Sequence, residues 1–490
     1  MELDFNWLHL PDFIWESILC NLRVGDLLKA SETCKQFNDL LSGSQRLMSK
    51  IRFKFENPDS KNHTNEVNKR NWQSMEPLCE MKVMKECLLK SERKYDSIFV
   101  SAVGYSNYIF DILKHFAGSV KEITFHKTTL QAHVFIKIIQ VMKNLKVLKL
   151  MDDFKISYSK AGREIERPEI VSSIDEIYIN KIGRQFLFDN LYMFDTITTL
   201  DVNEGDCESL EIFLLMQKNL KVLHLKDLNE FMFETDIPTK DIKFSLDELT
   251  LQSVSWINNQ NALKFFKSQN NFKKIALNLY SENQELDDSI QVMWNNELLI
   301  HLLVNNLQLK TVVVIIDDSG IYEYTIDFTN LKGIVNPRIE NFELYFNSPN
   351  DATELISKFT KIFPNVKNFT FKVRSYEDKD GLDQINSWKS LETIKCVLED
   401  INHFFQSVHL GEQLTTCTIE FSEDYDIDEN EMTEFLDWQN IKHMTLVKEC
   451  WSYNPISDEI RSLIENALEC HETLKCEVKK LSFRTRFYSK

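Results

Sequence analysis

Two stretches of this chain carry residue types and spacings that could do metal chemistry. Cys470, His471 and Cys476 stand close together, with Cys450 as the nearest further thiol. Zinc asks for four such ligands in a tetrahedral set, and no Cys-x-x-Cys or HExxH pairing backs them up, so packing or surface roles fit these residues better. Asp424, Asp426 and Asp428 alternate as in a calcium loop. The sixth position of that loop would be Glu429 where a glycine is needed, and the twelfth Phe435 where a glutamate closes the shell, so a solvated loop before a helix is the better reading. The chain has only 11 glycines and no GxxxxGK[ST] or GxGxxG stretch, which excludes the usual phosphate cradles. None of the ten cysteines sits in sequence among groups that would depress its pKa. These readings predict a protein that is not an enzyme and holds no metal or cofactor.

With no reacting centre in view, the elements themselves become the subject. A length of 490 residues suits several domains or one extended repeat array, and 43% hydrophobic with 27% charged residues is ordinary for a folded soluble chain. A formal net charge of -18 argues against nucleic acid as a partner, and the basic stretch from Lys479 and Lys480 to Arg484 and Arg486 is too short to reverse that. No run approaches a membrane span, and the N-terminus lacks the basic-then-apolar order of a signal peptide. Scattered thiols suit a reducing compartment, so a cytoplasmic or nuclear location and no membrane partner are expected.

Residues 10 to 41 read as two or three short amphipathic helices. Leu10-Pro11 opens the first, because proline is tolerated where a helix has no use for the backbone N–H. Ile14, Ile18 and Leu22 recur at every fourth position, with Trp15 and Leu19 alongside. Gly25 is expected to break the pattern and Asp26 to cap a second helix, whose Leu27, Ala30, Ser31, Cys34, Phe37 and Leu41 fall on one stripe. So small a unit has more apolar surface than it can bury alone, and the remainder should meet a partner.

The stretch resembles the F-box, which begins Leu-Pro and continues with aliphatic residues, an Asp-Leu-Leu step and a Cys-Lys-x-Trp element. Here these are Leu10-Pro11, Ile14, Ile18, Leu19 and Leu22, Asp26-Leu27-Leu28, and Cys34-Lys35-Gln36-Phe37. Phe37 replaces the usual tryptophan and Thr33 the usual valine. The resemblance implies that Leu10, Pro11, Ile14, Ile18, Leu19, Leu22, Leu27 and Leu28 dock a Skp-type adaptor, with internal packing as their competing role.

Beyond residue 90 a second pattern takes over. An apolar residue, two spacers, an apolar residue, one spacer and another apolar residue recur from Tyr95 through Val120, Leu145, Ile174, Ile197, Leu220, Leu246, Phe272, Leu309, Ile339, Val366, Leu391, Leu414 and Ile441 to Val478. The mean spacing of about 27 residues lies in the leucine-rich-repeat range. Between starts, helical faces such as Tyr108, Ile109, Ile112, Leu113, Phe116 and Val134, Phe135, Ile138, Ile139, Met142 alternate with the strands. The fold class expected is α/β: an N-terminal helical F-box over 5–55, a linker or loop over 56–77, and a solenoid over 78–490 that begins with a capping helix. Its parallel strands would line the concave side and its helices the convex side. Asp153, Leu228 and Val254 stand where such repeats carry Asn or Cys after the strand, which predicts loss of the usual ladder there.

The combination resembles F-box/leucine-rich-repeat proteins. That resemblance implies the substrate receptor of an SCF-type ubiquitin ligase, joined through the Skp-type adaptor to a cullin and a RING protein, with the repeats holding an unknown protein target. A protein-binding scaffold that promotes no degradation is the alternative. Outward strand positions Lys149, Tyr178, Asp201, His224 and Glu343, flanked by His126, Lys226 and Tyr345, are the candidate target-binding surface. Of these, His126, Lys149, Tyr178, His224, Lys226 and Tyr345 are the residues expected to grip the target.

Overall fold

The computed structural model describes residues 10–56, 85–86, 88–91, 93–101, 107–152, 154–157, 173–180, 194, 196–205, 210–228, 242–252, 260–278, 300–316, 333–346, 352–373, 379–398, 413–422, 443–449 and 475–476. The chain divides into two compact units, residues 1–222 with 240–244 and residues 223–239 with 245–490.

The first unit opens with helices α1 (Asp12–Leu19), α2 (Val24–Thr33), α3 (Lys35–Gly43) and α4 (Gln45–Met48). Pro11 stands at the N-cap of α1 with φ -54 and ψ 145, one residue ahead of the first turn. Gly25 does not break the pattern. It lies inside α2, which starts at Val24 with Arg23 as its N-cap, so Asp26 sits in the first turn, where its carboxylate favours the helix dipole. The stripe expected to run unbroken from Leu27 to Leu41 is cut at Cys34, whose extended backbone (φ -154, ψ 159) separates α2 from α3.

Strands β1 (Arg52–Glu56), β2 (Ser97–Ser101), β3 (Glu122–His126), β4 (Thr129–Gln131), β5 (Val147–Met151), β6 (Lys155–Ser157), β7 (Glu176–Ile179) and β8 (Thr199–Gly205) follow. The main sheet runs β1-β2-β3-β5-β7-β8 in chain order with parallel pairing, and β4 pairs with β6 alone. The sheet therefore begins at Arg52. The expected boundary at 55 falls within β1, and Glu56, assigned to the linker, is that strand's last residue. The rest of the linker and most of the capping helix lie outside the described residues.

Register explains the repeat. Ile98, Ile123, Leu148, Ile177 and Leu200 stand side by side, as do Val100, Phe125, Leu150, Ile179 and Val202. All are 1% exposed or less. Each such side chain contributes roughly 1.5–3 kcal/mol on burial, and none could be buried without its neighbours. Helices α5 (Asn107–Phe116) and α6 (Ala132–Val141) cover this apolar side, burying Ile109, Ile112, Leu113 and Phe116 from one and Phe135, Ile138 and Ile139 from the other. Phe135 meets Phe125 with ring centroids 6.2 Å apart. Helix α7 (Leu210–Met216) ends the helices of this unit.

The second unit repeats the plan. Its strands are β9 (Val222–Leu228, from Leu223 onward), β10 (Glu248–Gln252), β11 (Lys274–Asn278), β12 (Thr311–Ile316), β13 (Asn341–Phe346), β14 (Asn368–Val373), β15 (Thr393–Leu398), β16 (Thr416–Ser422), β17 (His443–Glu449) and β18 (Lys475–Cys476), neighbours in chain order. Helices α8 (Gln260–Lys267) and α9 (Ala352–Ile362) lie between strands, and a π-helical turn spans His301–Asn305. Every strand expected from Tyr95 through Ile441 is present, and the last expected one, at Val478, Leu481 and Phe483, lies outside the described residues. Among the described residues the last pairing is that of Cys476 with Met444.

Buried amides recur at the corner before the strands. Gln269, Asn306 and Asn336 each stand three residues before the first apolar position of a unit. Gln269 Oε1 accepts from Leu246 N at 3.0 Å, Asn306 Nδ2 donates to the carbonyls of His301 and Leu302 at 3.1 and 3.0 Å, and Asn336 Nδ2 donates to the Leu303 carbonyl. Asn306 and Asn336 satisfy carbonyls at the end of the His301–Asn305 turn, and Gln269 satisfies the Leu246 N–H ahead of β10.

Candidate docking surfaces

The four N-terminal helices share a core of Leu19, Leu27, Leu41, Leu47 and Met48. Trp15 and Phe37 meet edge-to-face with centroids 4.7 Å apart. Ser44 caps α4 by accepting from Leu47 N at 3.2 Å and donates to Glu16 Oε1 at 2.5 Å, which ties α4 to α1. Lys50 Nζ donates to the carbonyls of Cys20 and Leu22 just beyond α1, where a cation offsets the negative end of the helix dipole.

This packing sorts the expected adaptor-facing residues. Leu19 and Leu27 are 3% and 1% exposed and belong to the internal core, so they are not available to a partner. Pro11 and Ile18 are exposed, while Leu10, Ile14, Leu22 and Leu28 are half-buried. Phe13, at 70% exposed, and Val24 join Ile18 as uncovered apolar groups that the sequence reading missed. Phe13 falls one residue off the Ile14, Ile18, Leu22 series, and a large aromatic outside a helix's apolar stripe is the signal that could have found it.

The helices are fixed to the sheet behind them. Arg93 donates to Asn38 Oδ1 at 2.6 Å and to Ser42 Oγ at 3.3 Å, both on α3. Arg52 Nε donates to Ser97 Oγ at 3.0 Å, and its guanidinium reaches past β2 to Glu122 on β3. The Phe53 ring packs 5.0 Å from Tyr95 and 5.6 Å from Phe116.

On the sheet face of the first unit that points away from the helices, Lys149 and Tyr178 are brought together on β5 and β7, while His126 stands opposite Met151 at the end of β3. Lys149 Nζ lies 5.3 Å from the Tyr178 ring centroid and 3.3 Å from Glu122 Oε1. The Tyr178 hydroxyl donates to Glu176 Oε2 at 2.8 Å. Partial burial first, then Glu176, push the Tyr178 phenol up to about 12. His126 stacks 5.6 Å from Phe99, over which Arg52 and Lys54 also lie.

At the ends of the same strands runs a polar chain. Ser101 Oγ is 2.9 Å from His126 Nδ1, His126 Nε2 is 3.2 Å from Asp152 Oδ2, Asn180 Nδ2 donates to Asp152 Oδ1, and Asn203 Nδ2 donates to Asn180 Oδ1 at 2.5 Å. The first three have the connectivity of a nucleophile, a base and its orienting acid. Ser101 is 3% exposed, so no substrate carbonyl can reach it, and the chain serves as a side-chain ladder. This ladder joins side chains to one another, unlike the backbone-bonding one whose loss was expected at Asp153, Leu228 and Val254, and of those positions Asp153 and Val254 lie outside the described residues.

In the second unit His224 and Lys226 lie on β9, and Tyr345 lies on β13, four strand spacings or about 19 Å away. These three are not brought together. His224 Nε2 is 3.4 Å from Glu248 Oε1, which Lys274 also reaches at 2.7 Å. The Tyr345 hydroxyl donates to Glu343 at 2.7 Å, and burial together with that carboxylate raises its pKa. Among the described residues no group of His, Cys, Asp or Glu could hold a metal ion, and no helix is long and apolar enough to cross a membrane. Burial pushes the thiols of Cys396 and Cys417 up, which keeps them protonated and unreactive.

Residues 7–47 match the F-box domain family. The chain carries an F-box. Behind the F-box stand repeats of one parallel strand each. No curated protein matches the sequence. Among solved structures, the Rad7 and Elc1 complex of yeast is similar at 12% identity over 97% of this chain and 91% of that one, with a TM-score of 0.36. A protein of Bacteroides fragilis is similar at 13% identity over 61% and 85%, with a TM-score of 0.34. A leucine-rich-repeat protein of Leptospira interrogans is similar at 13% identity over 79% and 90%, with a TM-score of 0.32. At such scores these likenesses carry no assignment.

Proposed function

We propose that this chain is the target-recognition subunit of an SCF-type ubiquitin ligase. The F-box docks a Skp-type adaptor, which joins it to a cullin and a RING protein, and the repeats hold a target for ubiquitination. The observation that carries the reading is an F-box whose Phe13, Ile18 and Val24 stay uncovered while Leu19 and Leu27 fill its core. Apolar groups left in water on a small helical unit gain from association. Pro11, Ile14, Leu22 and Leu28 would flank that contact. On this reading the chain performs no bond chemistry: it raises the effective concentration of target near the conjugating enzyme. It works in the cytoplasm or nucleus, where such ligases meet their targets.

Co-expression of the full chain with a Skp-type adaptor, followed by capture of cullin, tests this. Stable adaptor binding that is lost in Phe13→Asp/Ile18→Asp, with cullin recovered in the complex, supports the receptor. Adaptor binding without cullin would instead leave a scaffold that promotes no degradation.

A further inference from the structure

The helix side of the first unit carries positive charge that its own acids do not cancel. Residues 107–152 hold seven lysines against three carboxylates, in a chain whose net charge is -18. All three carboxylates are engaged: Asp111 by Lys85, Glu122 by Arg52 and Lys149, and Asp152 by His126 and Asn180. Lys121 and Lys146 find their acids in neighbouring repeats, at Asp96 and Asp175. Lys114, Lys127, Lys137 and Lys143 are left over. All four are exposed, and none has an ion pair among the described residues.

Three of the four belong to one helical face. Helices α5 and α6 pack side by side, and the buried Ile112, Leu113 and Phe116 of one answer to the buried Ile138, Ile139 and Met142 of the other. Across the same offset of 26 residues, Asn144 Nδ2 donates to the Gly118 carbonyl at 2.7 Å. Lys114 therefore stands beside Gln140, midway between Lys137 and Lys143. With a rise of about 1.5 Å per residue, the backbones of the latter two are about 9 Å apart, and that of Lys114 is about 10 Å from each. The helix dipole accounts for Lys114, in the last turn of α5. It does not account for Lys137, because the last turn of α6 holds no basic residue.

We propose that this face of α5 and α6 binds an extended acidic segment of a partner protein, whose carboxylates meet Lys114, Lys137 and Lys143. Spacing and charge select the occupant. A single phosphate group is too small to span these positions, whereas a chain in the polyproline II conformation returns every third side chain to one face about 9 Å further on. Lysine ammonium groups act as point charges and lack the guanidinium fork that grips one phosphate in two places. A long polyanion would meet the acidic remainder of the chain, but screening beyond about 8 Å lets a short segment respond to the local lysines. The contact lies on the opposite side of the sheet from Lys149 and Tyr178 and does not rest on the receptor reading.

The test uses the full chain and three fluorescein-labelled probes: a peptide of Glu-Ser-Ser repeats, its Lys-Ser-Ser counterpart and an oligothymidine, each followed by fluorescence anisotropy. The Glu-Ser-Ser peptide is expected to bind the parent, and Lys137→Gln/Lys143→Gln to weaken it by about fivefold, as the loss of two exposed ion pairs allows. Lys137→Arg/Lys143→Arg keeps the charge and should bind within about twofold of the parent. Lys127 follows β3 and Lys155 opens β6, so Lys127→Gln/Lys155→Gln removes as much charge from beyond the strand ends. That variant should weaken binding by less than about twofold. Equal losses in the two glutamine variants would show attraction to bulk charge only and overturn the proposal. So would unchanged binding in Lys137→Gln/Lys143→Gln, an equal loss in the arginine variant, or tighter binding of the Lys-Ser-Ser peptide or the oligothymidine.

Discussion

Arg93 Nη2 donates to Asn38 Oδ1 at 2.6 Å, and through this bond the residue that leads into β2 holds helix α3 of the F-box. The same guanidinium reaches Ser42 Oγ, so one side chain fastens two positions a helical turn apart. Together with the pairing of β1 on β2, it makes the F-box and the first repeats a single packed body. On the proposed reading, that body would present a target in a fixed direction relative to the adaptor.

Replacing Arg93 by alanine should cost about 1–2 kcal/mol, the worth of charge-assisted hydrogen bonds discounted for partial exposure. Arg93→Lys should recover less than half of it, because an ammonium lacks the rigid planar fork whose Nε and Nη2 reach Ser42 and Asn38 from fixed positions. Thermal unfolding of the full chain reads the loss, and protease nicking of the F-box should speed up in step. Unchanged melting in both variants would mean that β1 alone fixes the helices.

Phe13 and Leu27 should separate docking from folding. Phe13→Asp alters an exposed side chain and should leave stability within about 0.5 kcal/mol of the parent while abolishing adaptor co-purification. Leu27→Ala opens a cavity in the F-box core and should cost about 2–5 kcal/mol. Urea unfolding paired with adaptor titration checks both. A stable Leu27→Ala protein would contradict the burial on which the division rests.

What the sequence made legible follows from where the energy lies. The strand triads such as Leu145, Leu148 and Leu150 could be read because each must be buried at a fixed spacing, and burial allows few substitutes. Strand β1 was hidden, since its Phe53 lies far from Tyr95 in sequence although the two rings are in contact. The cut at Cys34 lay inside a continuous apolar stripe, where periodicity alone gives no sign of an extended residue. The side-chain chain through Asp152 was not legible, because it joins residues of separate repeats that only the strand register brings side by side. Of the expected target residues, Lys149 and Tyr178 meet because their strands are neighbours in register, whereas Tyr345 is remote from His224 because four strand spacings separate β13 from β9.

Trp388 illustrates how the second unit is held. Its indole Nε1 donates to the Phe363 carbonyl at 2.7 Å in a buried setting, and its ring packs 4.7 Å from Phe369. Trp388→Phe keeps an aromatic ring but leaves that carbonyl without a donor, so it should cost about 1–3 kcal/mol. Denaturant unfolding measures the change. A cost below about 0.5 kcal/mol would mean that water replaces the indole, which the burial of Trp388 argues against.

His301 should make the stability of the second unit depend on pH. Burial lowers the pKa of its imidazole, Lys267 lowers it further, and the Gln269 and Phe266 carbonyls only partly oppose them. Above the unfolded-state value of about 6.5 the ring is neutral in both states and contributes no pH dependence. As the pH falls through that value the unfolded chain takes up a proton that the folded chain does not, so stability declines until the folded pKa is also passed. Urea midpoints at about pH 7.5 and about pH 5.5 should therefore differ more for the parent than for His301→Gln, whose side chain cannot titrate. Equal differences in the two proteins would show that the ring takes up its proton without unfolding cost, and that the turn at His301–Asn305 is open to water.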